Sequence, residues 1–333
     1  MSYASRYRSY LIGSIGGVLQ VLAGWWDVNS HILLGNIDPW WNPAHLTLYI
    51  GILIVIVAVW QGLRATVPNA GPIKFANLSG LRLAGIGSIM QIGAGIWNEL
   101  VHHVFHNEPL IAPAHALLVF GMLTINLGMV VGLSIEYGMM KRGFLTVSYS
   151  KRTATLLLIA TVFASIWLAS AGGLIYSARI FRGSMLLVVI AFLLSAIAPL
   201  VLVPARRVLA FFGSTALIGA LFNGVIFSFL VGYLGSSPYF PMGMISVCAF
   251  DLVAGPLNRR MSSYRAEISS SAILGTLFYA TYFPFSSFLF PWSTNLFYFL
   301  VLVIASVLGG VMGNKIYSGL SSLVLGETLK FVG

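Results

Sequence analysis

A chain of 333 residues that is 58% hydrophobic and 8% charged, with mean hydropathy +0.92, is no soluble globular domain, because those carry charge on about 25% of their residues. The net charge of +10 could suit a nucleic-acid binder, but the basic residues lie between apolar runs, the pattern of membrane loops, which excludes nucleic acid as a partner. A single cysteine, Cys248, sits inside an apolar run and leaves neither a disulfide framework nor a thiolate metal cluster.

Taken in order, the apolar runs predict an all-α, polytopic membrane protein of about ten transmembrane helices, each long enough to cross roughly 30 Å of hydrocarbon. The expected spans are 9–30, 43–63, 80–105, 111–135, 153–176, 184–204, 208–234, 241–258, 270–290 and 296–314. Arg6 and Arg8 precede the first, which continues past Leu22 with no small-residue cleavage site and so reads as an uncleaved span. With the N-terminus in the cytoplasm, sixteen of the eighteen Lys and Arg residues fall on the inner side, and only Arg179 and Arg182 fall outside. Both termini are therefore expected to be cytoplasmic, in a multi-pass protein of the cell membrane.

Two regions are expected. Residues 1–136 hold a duplicated, histidine-rich hairpin, with copies at 9–63 and 80–135, and residues 153–333 form a six-span region. The second region has one acid within a span, Asp251, and small residues such as Gly309 and Gly310 that permit close helix packing. Its tail, 315–333, reads as an amphipathic segment lying on the inner surface.

The duplication carries the chemistry. Residues 24–51 read GWWDVNSHILLGNIDPWWNPAHLTLYIG and residues 95–121 read GIWNELVHHVFHNEPLIAPAHALLVFG. Aligned with a single gap, Gly24 falls on Gly95, Asp27 on Asn98 and His31 on His102, and Pro43-Ala44-His45 falls on Pro113-Ala114-His115. All six histidines of the protein lie in these two windows.

Asp27 and His31, four apart, share one helical face, as do Asn98 with His102 and Glu99 with His103; His106 stands one turn further on. Pro43 and Pro113 suit the first turn of a helix, where no amide donor is lost, so His45 and His115 begin the next spans and fold back toward the ends of the preceding ones. Each hairpin then gathers a carboxylate or amide and two imidazoles, a three-ligand set for copper, zinc or iron. Glu99, His103 and His106 are expected to complete the second set or to support it from behind. Ionisable groups at this depth are costly unless paired or metallated.

The string Asp27-x3-His31-x13-His45, with WNPAH leading into the second helix, resembles the metal site in one membrane subunit of the copper membrane monooxygenases, the particulate methane and ammonia monooxygenases. Members of that family carry Asp-x3-His-x12-His, a spacing that the second copy matches as Asn98-x3-His102-x12-His115. The resemblance covers about 28 residues in each copy. It implies copper as the metal, with Asp27, His31, His45, His102 and His115 as ligands and Asn98 in place of the acid. It also implies an oxidoreductase or monooxygenase-type complex with other membrane subunits. This chain differs in having the motif twice, about ten spans, and one extra residue in the first copy.

Two other readings compete. In a haem b quinol-oxidising or membrane-anchor subunit of a respiratory complex, paired histidines lie on one continuous helix. Here Pro39 and Pro43 separate His31 from His45, and Pro109 and Pro113 separate His102 from His115, each disrupting a helix by about 3 kcal/mol. A transporter would suit ten spans and a buried Asp251, but its substrate site is expected near mid-membrane rather than at the outer boundary.

Overall fold

The computed structural model describes residues 3–34, 41–64, 71–105, 113–141, 151–169, 185–209, 243–289 and 296–332. Nine helices fill these segments, and none of the described residues is in a strand. In chain order they are α1 (Tyr3–Leu34), α2 (Pro43–Arg64), α3 (Gly71–Phe105), α4 (Pro113–Lys141), α5 (Lys151–Trp167), α6 (Met185–Leu209), α7 (Gly243–Arg260), α8 (Ser263–Leu289) and α9 (Leu296–Val332). Four stretches among the described residues are long and apolar enough to cross a membrane: Pro43–Arg64, Pro113–Lys141, Ala191–Leu209 and Phe299–Leu320. The seventh expected span, 208–234, lies almost wholly outside the described residues.

The chain divides into two compact units, Met1–Ala164 with Ile316–Gly333, and Ser165–Lys315. In the first, α1 packs on α2 and α3 on α4, while α1 also packs on α4 and α2 on α3, closing a ring of four helices. Glycines let the backbones meet. A Cβ built on Gly16 would stand 2.8 Å from the carbonyl oxygen of Gly51, and one built on Gly87 would stand 2.6 Å from that of Gly121. Contacts this close need small residues on both helices, the usual basis of helix association in a bilayer.

The ring's outer surface is apolar. Ile50, Leu53 and Trp60 of α2 and Ile86, Ile89 and Ile96 of α3 are exposed, a surface suited to hydrocarbon rather than water. Polar side chains face inward instead.

Chain direction places Pro43 and Pro113 at one end of the ring, its histidine end, together with the carboxyl end of α1. Arg6 lies at the other, its arginine end. α1 stops at Leu34 and α2 starts at Pro43, so His31 and His45 lie on different helices; His102 on α3 and His115 on α4 are separated in the same way. Neither pair shares a continuous helix.

In the second unit, α8 packs on both α6 and α7. The carbonyl oxygen of Ala196 on α6 lies against Gly309 of α9, and a Cβ on Gly275 of α8 would stand 2.8 Å from Ser306 Oγ of α9. The Arg207 guanidinium grips the Glu267 carboxylate with two bonds, Nε to Oε1 at 2.5 Å and Nη2 to Oε2 at 3.1 Å, and Asn314 Nδ2 also donates to Oε2. The final helix departs from expectation. It runs unbroken from Leu296 to Val332, so residues 315–332 continue the same helix, of which Phe299–Leu320 is the stretch apolar enough to cross a membrane.

Candidate metal centre

The local fold explains how His45 reaches α1. Asn42 caps α2, its Oδ1 accepting a hydrogen bond from the Ala44 amide at 2.8 Å, and the Leu46 amide donates to the Asn42 carbonyl at 2.9 Å. Pro43 takes the first helical position, where its missing amide hydrogen costs nothing. His45 then falls in the first turn, with Nε2 2.8 Å from Asp27 Oδ1. Both side chains are mostly buried. The amino end of α2 adds partial positive charge beside the Asp27 carboxylate, a further stabilisation of the anion.

Two more groups share this neighbourhood. The Tyr49 ring lies 6.4 Å from the His45 ring, centroid to centroid, and its hydroxyl feels the charges of both Glu99 and Asp27. Tyr49 is not among the residues expected from the motif. Its signal in the sequence is its place one turn beyond His45, the same i, i+4 relation that links Asp27 to His31.

In the second hairpin, Asn98 Oδ1 and His115 Nδ1 are both buried, and Glu99 is exposed. The backbones of His31, His102 and His103 are helical, on α1 and α3, but their side chains lie outside the described set, as does the whole of His106. Among the described residues no three His, Cys, Asp or Glu side chains are grouped as a metal site. Two donors of the first expected triad, Asp27 and His45, are brought together; for the other expected sets the described side chains contribute Asn98, Glu99 and His115.

The separation of Asp27 Oδ1 and His45 Nε2 bears on two kinds of partnership. It is a hydrogen-bond distance, and a widening to about 3.3–3.6 Å would give the separation of two ligands of one tetrahedral ion whose own bonds are roughly 2.0–2.2 Å. The chain matches no known protein family, no curated protein and no solved structure.

Below the pair, polar groups continue into the ring. Seven residues before Asp27 and before Asn98 stand Gln20 and Gln91, 0% and 1% exposed. A Cβ on Gly51 would meet Gln20 Cγ at 2.6 Å, and one on Gly121 would meet Gln91 Cγ at 2.6 Å. Neither amide has a hydrogen-bond partner among the described residues, and the same holds for Asn126, whose Oδ1 lies against Gly17. Leaving such a group unsatisfied costs about 1–3 kcal/mol. At the arginine end, Arg6 Nε pairs with Glu136 Oε1, both side chains almost fully buried. The motif alone misses these groups: it extends the repeat only from Gly24 outward, although the same offset of 71 residues links Gln20 to Gln91.

Proposed function

We propose that the chain is the membrane metalloprotein subunit of a redox or monooxygenase-type complex, holding a first-row metal ion, copper before zinc or iron, at the histidine end of the α1–α4 ring. The observation that carries this reading is the 2.8 Å approach of Asp27 Oδ1 to His45 Nε2 across two helix ends. His31, one turn from Asp27 on α1, would supply the third ligand. A second set, Asn98, His102 and His115, recurs in α3 and α4, with Glu99, His103 and His106 beside it. Three protein ligands leave a coordination position open, which a metal that binds dioxygen or a small substrate needs.

The reading includes the duplication itself. α1–α2 and α3–α4 are copies of one hairpin, and Gly16 against Gly51 and Gly87 against Gly121 are equivalent contacts, offset by 71 residues on the first helix and 70 on the second. About ten spans, cytoplasmic termini and an outward-facing histidine end complete it, on the distribution of basic residues. Companion subunits are expected as well, because a chain with so little polar surface has nowhere of its own to receive electrons. The separation of the histidines onto different helices favours a metal ion over haem b held along one helix.

Elemental analysis and an optical spectrum of one purified sample test the reading. A first-row metal without a Soret band is expected, and His45→Ala is expected to strip it while Asp251→Ala retains it. Equal metal retention in both variants, or a haem spectrum, would overturn the proposal.

A further inference from the structure

The ring's buried amides are not needed to hold a metal at its end, and although the stems of Gln20 and Gln91 pack on Gly51 and Gly121, that packing does not call for an amide. Along the α1–α4 interface, successive contacts run from the histidine end to the arginine end: Gly24 with Met122, Gly17 with Asn126, Gly13 with Met129, Tyr10 with Gly132, and Arg6 with Glu136. Gln20 lies between the α1 positions that meet α2 at Gly16 and those that meet α4 at Gly17, so it faces the inside of the ring. Gln91 holds the equivalent place on α3.

The polar atoms without a hydrogen-bond partner among the described residues form a series. From the histidine end it includes the amides of Gln20 and Gln91, the amide of Asn126 beside Gly17, Ser14 Oγ, and Glu136 Oε2. Tyr10 and Tyr7, whose hydroxyls feel the charge of Glu136, lie between Ser14 and the Arg6–Glu136 pair. On α1 the steps from Gln20 to Gly17, Ser14, Tyr10 and Tyr7 are three or four residues, about 4.5–6 Å of rise each. One or two water molecules bridge such a gap.

At Gly16, Gly51, Gly87 and Gly121 an added methyl carbon would meet the facing helix within 3 Å, so the two helices of each hairpin are in close contact beside Gln20 and Gln91. Buried polar groups that lack protein partners are commonly satisfied by internal water, and inside a bilayer nothing else small and polar is in supply.

We propose that the α1–α4 ring carries protons along this line, through water held by Gln20, Gln91, Asn126 and Ser14, with Glu136 as the proton-exchanging group at the arginine end. Glu136 Oε2 takes a proton from the solvent side and passes one to the adjacent water. That water releases another of its protons to the next, so O–H bonds form and break in equal number and nothing is oxidised or reduced. Arg6, Tyr7 and Tyr10 stand near this carboxylate, and the Arg6 guanidinium balances its charge. The line of named groups runs from Glu136 to Gln20, about 10 Å short of Asp27 along α1, and requires no metal.

The test uses the full chain in vesicles of neutral phospholipid that enclose a pH-sensitive dye, with a potassium gradient and valinomycin to drive protons. Wild type is expected to acidify the lumen at least tenfold faster than protein-free vesicles, with or without chelator. Gln20→Met with Gln91→Met keeps volume while removing the amides, and is expected to slow the flux at least tenfold with metal content unchanged. Glu136→Gln is expected to do the same. Should the double variant fail to fold, Gln91→Met and Asn126→Leu singly are each expected to slow the flux severalfold. Wild-type flux no faster than empty vesicles, or flux unaffected by the amide substitutions, would overturn the proposal. Wild-type protein that conducts protons but holds no metal would overturn the metal reading alone.

Discussion

The hairpins α1–α2 and α3–α4 make the same close contacts with different electrostatics. Gly16 with Gly51 and Gly87 with Gly121 set the backbone spacing in each, and Gln20 and Gln91 cover the second glycine of each pair. The first hairpin then carries Asp27, Arg6 and Tyr10 where the second carries Asn98, Asn77 and Leu81. Backbone packing tolerates little change, because each glycine faces a carbonyl or the stem of a glutamine; the charge at a given face can change provided a partner is present. Shape is thus held by the small residues of both halves, while the charged groups differ between them.

The largest effect is expected where the first hairpin's charge is buried. Removing one member of the Arg6–Glu136 pair leaves the other ion stranded, at a cost of about 3–5 kcal/mol. Glu136→Leu should lower the unfolding midpoint in detergent sharply, and Arg6→Leu with Glu136→Leu together should recover most of the loss. A double variant as unstable as the single one would show that the pair is not what matters there.

Next comes a test of shape. Gly132 lies under the Tyr10 ring, whereas its counterpart Gly62 faces the tip of Leu81, 2.5 Å from where a Cβ would stand. Gly132→Ala should cost about 1–3 kcal/mol by overpacking, and Gly62→Ala less, because a leucine tip yields more readily than a ring. Tyr10→Leu combined with Gly132→Ala should bring the two sites level. Thermal unfolding of the four proteins measures it.

The acid–amide difference at the histidine end gives a smaller effect. If the proposed metal site is right, Asp27→Asn should weaken metal binding about tenfold, or about 1.4 kcal/mol, and Asn98→Asp should strengthen it by a similar factor. Titration with a competing chelator reads both. If Asn98→Asp changed nothing while Asp27→Asn removed the metal, the second hairpin would hold no ion of its own.

The smallest effect concerns Gly24 and Gly95. A Cβ on Gly24 would meet Met122 Cε at 3.0 Å, while among the described residues nothing lies within 4 Å of one on Gly95. Gly95→Ala should be neutral or gain up to about 1 kcal/mol from helix propensity, and Gly24→Ala should gain less or lose. Equal gains would mean that the methionine simply moves aside.

Much of this architecture was legible in the sequence, for local reasons. Pro43 and Pro113 announced the starts of α2 and α4 because a missing amide hydrogen is tolerated only there, and Asn42 is a capping residue by type. The approach of Asp27 to His45 followed from a short connection between two helix ends. The Arg6–Glu136 pair was not legible, because its members are 130 residues apart and Arg6 reads as an ordinary cytoplasmic charge. Arg207 with Glu267 and Asn314 was hidden in the same way, inside what looked like loop chemistry. Gln20 and Gln91 could have been found by extending the alignment two turns inward, where apolar surroundings make a glutamine stand out.

Length has a consequence at the far end of the chain. α9 has 37 residues, and at about 1.5 Å each it measures about 55 Å, well beyond the roughly 30 Å of a bilayer's hydrocarbon even when steeply inclined. A good part of that rod must stand clear of the lipid. Single cysteines placed along it, probed with a membrane-impermeant thiol reagent, would turn the helix into a depth gauge for the whole molecule.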